Sequence, residues 1–222
     1  MLISRDFLAR HSVQVAPDLL GCILEHETAA GLVAVELTEV EAYAGEHDPA
    51  SHAYHGKTRR NAVMFGPPGH AYVYFTYGMH FCVNLVCLGN GSASAVLLRA
   101  GTVIEGEDLA RARRTSRTAS GDPNGSRLTS RDLARGPARL CQALDIDRSL
   151  DGADVCVAAS PLRVRQPDTS TTARSGERKT ASGPRVGVSA AAEVPWRFWI
   201  EGEPSVSAYR AHVPRKRKLV TP

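Results

Sequence analysis

The chain has 222 residues, of which 43% are hydrophobic and 23% charged, as in ordinary globular proteins. Such a chain can bury a core, which excludes wholesale disorder and predicts one large domain or two small ones. No run approaches the roughly 18 apolar residues of a membrane span, and the start lacks an export signal, so we expect a cytoplasmic protein. Five scattered cysteines argue against a disulfide framework.

The charge is unevenly distributed, although the net value is only +4. Residues 1–50 contain two arginines and nine acidic residues, a net charge of −7, so residues 51–222 carry +11. Eight arginines fall within residues 111–140, and residues 208–222 form a basic tail. This asymmetry is typical of a protein with a polyanionic partner and an acidic segment used for chemistry. A solvated basic surface without a partner would give the same pattern.

The first half of the chain is predicted to form one short helix and five strands. The helix covers residues 4–10 with Ser4 as its N-cap, and a helical turn follows at residues 17–21. The strands form two hairpins and a single strand: residues 22–27, 32–43, 71–77, 81–88 and 93–100. Residues 44–61 are predicted as a loop, and Gly78 and Met79 turn the second hairpin.

The second half is predicted to contain fewer regular elements. They are two helices, at residues 105–114 and 138–144, and two closing strands, at residues 196–201 and 205–207. Polar segments near residues 115–130 and 167–184 are predicted as insertions in one domain, because neither flanking piece has enough core residues to fold alone. We therefore expect a single domain over residues 1–207, followed by the basic tail.

The strand at residues 32–43 ends in an unusual cluster of glutamates. Val33, Val35 and Leu37 share one face, and Glu39 and Glu41 continue the same parity unless a bulge re-aims them. A buried carboxylate is costly unless it is paired or used, so either glutamate is a candidate general base. A strand that emerges into solvent would also carry glutamates here.

The second hairpin is rich in tyrosine. Tyr72 and Tyr74 share a face, and Tyr77 lies at the lip of the turn. Half-buried rings with wet hydroxyls are typical of a stacking pocket, although an amphipathic edge strand would also use them. A large ring at a hairpin tip favours a wedge that enters a base stack, unless the tip packs on the core.

Motifs for metals and nucleotides are weak or missing in the sequence. His47, His52 and His55 lie close to Asp48, but they lack the spacing and partners of a metal site. No phosphate-binding loop, dinucleotide fingerprint or nucleophile elbow is present, which disfavours ATP-driven and dinucleotide chemistry. We therefore expect no metal and no cofactor.

Several sequence blocks, taken in order, resemble the alkyladenine (3-methyladenine) DNA glycosylase family. The blocks are EVEAY at residues 39–43, DPASH at 48–52, TRRN at 58–61, YVYFTYGM at 72–79, GPARLCQAL at 136–144 and RVGV at 185–188. The resemblance runs from near residue 3 to about residue 207. It implies the α+β class, with a single mixed domain, a curved and largely antiparallel sheet, peripheral helices and a projecting β-hairpin.

The resemblance also implies roles for the residues of a base pocket. Glu41 would position and deprotonate the attacking water. Tyr43, His52 and Tyr74 would surround a flipped base. Asn84 would form the pocket wall that excludes the 2-amino group of guanine.

The DNA contacts implied by the resemblance lie on the hairpin and beside it. Tyr77, with Met79, would enter the duplex in place of the flipped base. Arg60, Asn61 and Arg99 would contact the DNA backbone, where the planar arginine group suits phosphate.

The implied activity is base-excision repair of double-stranded DNA by a monomeric enzyme. It would hydrolyse the N-glycosidic bond of alkylated or deaminated purines and leave an abasic site. Lys57 is the only lysine before Lys179, so we expect no Schiff base and no strand cleavage. Two alternatives remain: a module that binds modified bases without catalysis, and a hydrolase of free nucleosides.

Overall fold

The computed structural model describes residues 1–89, 91–116, 128–167 and 178–213. Within these ranges the α-helices are α1 (Arg5–Leu8), α2 (Ser12–Asp18), α3 (Glu107–Ser116) and α4 (Pro137–Leu144). The strands are β1 (Ile23–Thr28), β2 (Gly31–Tyr43), β3 (Ala71–Thr76), β4 (His80–Val86), β5 (Ala95–Glu105), β6 (Leu162–Arg165), β7 (Thr180–Gly183) and β8 (Arg197–Ile200). No helix within these ranges is long and apolar enough to cross a membrane.

The strands form one antiparallel sheet in the order β3-β4-β5-β2-β1-β6, and β7 joins it through β8. One edge of β2 pairs with β5 along its length, while the other edge pairs first with β1 and then, at Glu39–Glu41, with β8. This change of partner and the irregular β2–β5 register curve the sheet. The predicted α+β class with a curved, largely antiparallel sheet is confirmed.

A bulge in β2 decides which residues face the core. The β2–β5 register shifts between Leu37 and Glu39 and again between Glu39 and Val40. Before the bulge Val35 and Leu37 pack in the core, and after it Val40 and Ala42 do so. The apolar parity therefore changes at the bulge, and Glu39 and Glu41 leave the core-facing side. The structure therefore contains the bulge that the sequence left open, and this bulge turns Glu39 and Glu41 away from the core.

The helices cover the sheet and complete the core. Helix α4 packs on β4 and β5, and α2 packs on β2. Ser4 caps α1 as predicted, because its hydroxyl accepts from the amide of Phe7. Helix α2 begins earlier than predicted, at Ser12, because the side chain of His11 caps it.

Other differences from the predicted elements concern the strands. Strand β5 continues to Glu105, because β2 offers it pairing partners beyond Ala100. The prediction that residues 178–184 are loop is wrong at β7, where pairing with β8 overrides the polar sequence. Residues 205–207 form no strand, because they bind buried side chains of β2 instead. Residues 117–127, 168–177 and 214–222, which include most of the predicted insertions and tail, lie outside the described residues.

Candidate active site

A cleft of about 330 Å³ opens where the β3–β4 hairpin, the loop before it and the segment after β7 meet. Its volume falls in the range of about 300–1,000 Å³ that small-molecule sites occupy. Aromatic and polar side chains line it, including Tyr43, His52, Tyr72, Tyr74, Tyr77, Asn84 and Arg99, and Val186 lies beside them. Most of the residues that the sequence singled out are therefore gathered at one place.

Glu41 lies directly behind the wall of this cleft and is fully buried. Its Oε1 accepts a hydrogen bond of 2.7 Å from the amide of Val186 and lies 3.3 Å from Nη1 of Arg99. Its Oε2 accepts from the hydroxyl of Tyr43 at 2.9 Å. These three donors all line the cleft, and an ionised carboxylate has about four acceptor positions. Glu41 therefore keeps the capacity to accept one further donor.

Glu39 anchors Arg99 from the other side. Its carboxylate accepts from Nε of Arg99 at 2.8 Å and from Nε of Arg197 at 2.7 Å. The amide and hydroxyl of Ser207 donate to it at 2.7 and 2.9 Å. Burial raises the pKa of Glu39, but the guanidinium charges of Arg99 and Arg197 outweigh it and hold that pKa below the ordinary value. The cluster of two glutamates and two arginines is thus balanced in charge.

Three rings form one side of the cleft. The Tyr72 and Tyr74 rings are stacked with centroids 5.5 Å apart, and His52 meets Tyr74 edge-on at 4.6 Å. Nδ1 of His52 lies 3.2 Å from the hydroxyl of Tyr72. Desolvation by these neighbours and the positive charge of Arg60 lower the pKa of His52. The imidazole is therefore neutral at pH 7.

Tyr43 and Tyr74 remain protonated over the physiological pH range. Burial raises the pKa of both hydroxyls well above the ordinary value, and the carboxylate of Glu41 raises that of Tyr43 further. Asn84 lies next to Tyr72, its partner across the β3–β4 ladder, where it is nearly buried and donates to the carbonyl of Tyr72 at 3.1 Å. Apart from the ion-paired Arg99, the pocket therefore offers mainly rings and neutral polar groups to a ligand.

The β3–β4 hairpin projects from the sheet, as predicted. Tyr77 is 79% exposed and Met79 is 66% exposed at its tip, so the tip does not pack on the core. Tyr77 has a φ of +52°, a left-handed conformation that is strained for a tyrosine. Gly78, which follows at +69°, completes the turn, and a Cβ added there would meet open space.

The structure corrects the placement of two residues that were expected at the DNA backbone. Asn61 is only 2% exposed, and its amide donates to the carbonyls of His52 and Gly56, so it holds the loop together. Arg99 lies within β5 rather than at its end, and its guanidinium is buried between two carboxylates. Arg60, in contrast, is exposed at the rim, 6.0 Å from the Tyr74 ring.

Sequence reasoning missed three contributors to the site. Val186 acts through its main-chain amide, and Ser207 through its amide and hydroxyl, and no side-chain pattern indicates either role. Gly45 is recognisable in the sequence as a loop glycine, but the need for glycine at this position comes from a tertiary contact. At its φ of +64°, an added Cβ would lie 1.9 Å from the carbonyl oxygen of Ala93.

The fold does not assemble His47, His52, His55 and Asp48 into a metal site. The side chain of Asp48 forms a bidentate ion pair with Arg185 instead of turning toward the neighbouring histidines. Among the described residues, no three His, Cys, Asp or Glu side chains come together as a metal site would require.

Comparison with known proteins gives a consistent picture. A model of the methylpurine-DNA glycosylase family matches residues 6–204. A protein of Streptomyces avermitilis, named "Putative 3-methyladenine DNA glycosylase", is 53% identical over 97% of this chain and 95% of its own length. Proteins with the same name from Leifsonia xyli subsp. xyli and Burkholderia cenocepacia are 51% and 44% identical. They cover 94% and 93% of this chain, and 92% and 91% of their own lengths.

Proposed function

The chain belongs to the methylpurine-DNA glycosylase family, and from this premise we propose that it excises alkylated or deaminated purines from double-stranded DNA. The observation that carries the proposal is the carboxylate of Glu41, held by three donors directly behind an aromatic cleft. Burying a carboxylate is costly, and a protein that only bound modified bases would have no use for it. The cleft, the carboxylate and the projecting hairpin come from one chain, so the enzyme acts as a monomer.

The target base leaves the duplex before it reacts. Flipping a nucleotide costs a few kcal/mol, least for a damaged base that pairs poorly. Tyr77 and Met79 are exposed on the hairpin at the edge of the cleft, so their side chains fill the space that the base vacates. A hydrolase of free nucleosides would gain nothing from this exposed tip.

The rings of the cleft recognise the flipped purine. Tyr43, His52 and Tyr74 stack around it, and a positively charged methylated purine gains about 0.5–2 kcal/mol from each cation–π contact. The neutral state of His52 favours this recognition, because an imidazolium would repel a cationic base. Asn84, next to Tyr72 in the cleft, discriminates against guanine by excluding its 2-amino group.

Hydrolysis needs one activated water at the sugar. Glu41 accepts a proton from the water while the oxygen of that water bonds to C1′. The C1′–N bond breaks, and its electron pair passes to the purine. The carboxylate also stabilises the oxocarbenium-like transition state, as in other glycoside hydrolyses. A cationic purine leaves as the neutral base, whereas a neutral purine such as hypoxanthine takes up a proton as it leaves. The products are the free base and an abasic site. Lys57 is exposed on a loop and forms no Schiff base, so the strand stays intact.

A base-release assay tests this function. Duplexes that contain hypoxanthine, or that were treated with a methylating agent, are incubated with the enzyme and divided into heated-alkali and untreated halves. Strand breaks only after alkali are the expected result. Breaks without alkali would contradict the monofunctional reaction, and tight binding without any abasic product would favour a module that only reads modified bases.

We expect the Tyr77→Ala variant to bind lesion-containing duplex at least about tenfold more weakly, because stacking on an aromatic ring is worth about 1–3 kcal/mol per base. Its thermal stability should not change, since the ring is 79% exposed. The control is Ile104→Ala, which removes a 50% exposed side chain of β5 that does not line the cleft. Fluorescence anisotropy measures both affinities, and an unchanged affinity in Tyr77→Ala would exclude the wedge.

A further inference from the structure

A fully buried ion pair lies behind the cleft. Arg185 donates from Nη1 and Nη2 to the two carboxylate oxygens of Asp48 at 2.5 and 2.9 Å. Both side chains have no exposed surface. Asp48 also accepts from the amides of Ala44 and Ala50. The carboxylate is therefore fixed and neutralises the guanidinium in a region from which water is excluded.

The guanidinium of this pair stacks against an aromatic wall of the cleft. Its carbon lies 4.8 Å from the ring centroid of Tyr43 and 5.2 Å from that of Trp196. Tyr43 lines the cleft, whereas Arg185 is not among the lining residues and is only 1% exposed. The charge thus lies behind the ring on which a base is expected to stack.

We propose that the Asp48–Arg185 pair sets the electrostatic balance behind Tyr43 and thereby determines how strongly the enzyme prefers cationic over neutral purines. This inference rests on the proposed function, in which a flipped purine stacks on Tyr43. An unpaired arginine behind the ring would repel a methylated, positively charged base but not hypoxanthine. An unpaired aspartate would attract the charged base and leave the neutral one unaffected.

Other charges near the cleft do not mask this effect. Glu39 and Glu41 balance Arg99 and Arg197 within their own hydrogen-bonded cluster. His52 is neutral at pH 7, and Arg60 lies at the solvated rim, where its charge is screened. The Asp48–Arg185 pair is therefore the charged group whose guanidinium packs on the ring of Tyr43, whereas Glu41 contacts only its hydroxyl.

The expected effect is large enough to measure. Stacked atoms lie roughly 3.5–4 Å apart, which places a stacked base about 8 Å from the guanidinium on the far side of the ring. At an effective dielectric constant of about 20, a unit charge at that distance changes a binding constant by about 10- to 30-fold.

The test compares equilibrium binding of two duplexes that the enzyme cannot process. One contains 7-methylguanine, which is cationic, and the other contains hypoxanthine, which is neutral. Each lesion is carried on a 2′-fluorinated sugar, since fluorine destabilises the oxocarbenium-like transition state and suppresses base release. The quantity measured is the ratio of the two dissociation constants, cationic over neutral.

The two single variants should shift this ratio in opposite directions. Asp48→Asn should raise it about tenfold, and Arg185→Gln should lower it by a similar factor. The double variant, which restores a neutral pair, should return to within about threefold of the wild-type ratio. Glu25→Gln is the control, because Glu25 is also buried and ion-paired but lies on β1, at the β6 edge of the sheet.

A purely structural role would weaken binding of both duplexes together and leave the ratio unchanged, and that result would overturn the inference. If Asp48→Asn does not fold, Arg185→Gln and the double variant still give a decisive comparison. Failure of the proposed function has a different signature: the wild-type protein would then bind neither lesion more tightly than undamaged duplex.

Discussion

Replacing Glu41 with glutamine is expected to slow base release by about 10²–10⁴-fold, the usual contribution of a general base, while lesion binding stays close to wild type. Glutamine has the same shape, and its oxygen can still accept from the amide of Val186. Its amide nitrogen can donate to the hydroxyl of Tyr43, which then accepts instead of donating. Arg99 keeps its closer partner Glu39, so the fold is retained at a somewhat lower stability, but no group remains that can take the proton of the attacking water.

The measurement for Glu41→Gln is a single-turnover rate with excess enzyme on a hypoxanthine duplex, together with an anisotropy titration. Glu36→Gln is the matched control, because Glu36 lies on the same strand but pairs with Arg178, with 21% of its side chain exposed. Its rate should equal that of the wild type. A full rate in Glu41→Gln would remove this carboxylate from the mechanism, and a loss in both variants would point to instability instead.

The second large effect is on stability, and it is expected at Glu39. Glu39→Gln should lower the free energy of unfolding at pH 7 by about 3–5 kcal/mol, because breaking a buried ion pair leaves uncompensated charge behind. Arg99 and Arg197 both donate to this fully buried carboxylate, and a single amide oxygen cannot accept from every donor that now surrounds it. Arg99 also loses its anchor, so base release should fall as well.

The pH dependence of stability gives an independent check on Glu39. Its pKa in the folded protein lies below the ordinary value of 4.5, so the ionised form stabilises the fold at every pH above that value. This contribution is lost as the pH falls from about 4.5 through the lowered pKa. The difference between wild type and Glu39→Gln should therefore be largest near pH 7 and should shrink at acid pH.

Urea denaturation at several pH values measures these differences. The matched control is Glu27→Gln, because the Glu27 side chain is 61% exposed and its ion pair with Arg163 lies at the surface. Surface pairs contribute about 0–1 kcal/mol, so this variant should stay near the wild type. A loss below 1 kcal/mol in Glu39→Gln would show that Arg99 and Arg197 find other partners or water.

Several features of this protein could be predicted because they depend on local chemistry. The alternation of apolar residues in β2 and the tyrosine-rich sequence of β3 indicated strands, and Gly78 indicated the turn between β3 and β4. Ser4 indicated the start of a helix, because a serine hydroxyl at the N-cap accepts a hydrogen bond from the amide three residues later. The order of the short blocks was specific enough to indicate the family that the comparisons then confirmed.

Features that failed to emerge from the sequence depend on partners that only the folded structure brings into contact. The polar segment at β7 is a strand only because β8 pairs with it. Asn61 looked like a surface residue in a polar loop, but its amide is engaged by two carbonyls of that loop. Nothing local reveals that Ser207 would close the cluster around Glu39, because 168 residues separate them.

The amino-acid sequence by itself indicated the α+β class, the family, a candidate base and a projecting hairpin. These follow from local propensity, from the spacing of chemically distinctive residues and from the order of motifs. Only the tertiary structure decided the direction in which Glu39 and Glu41 point, the partners of Arg99, and the burial of Asp48 against Arg185. The physical reason is that a bulge and a buried charge depend on energies set by neighbours from distant segments, which become defined only when the sheet curls and closes around them.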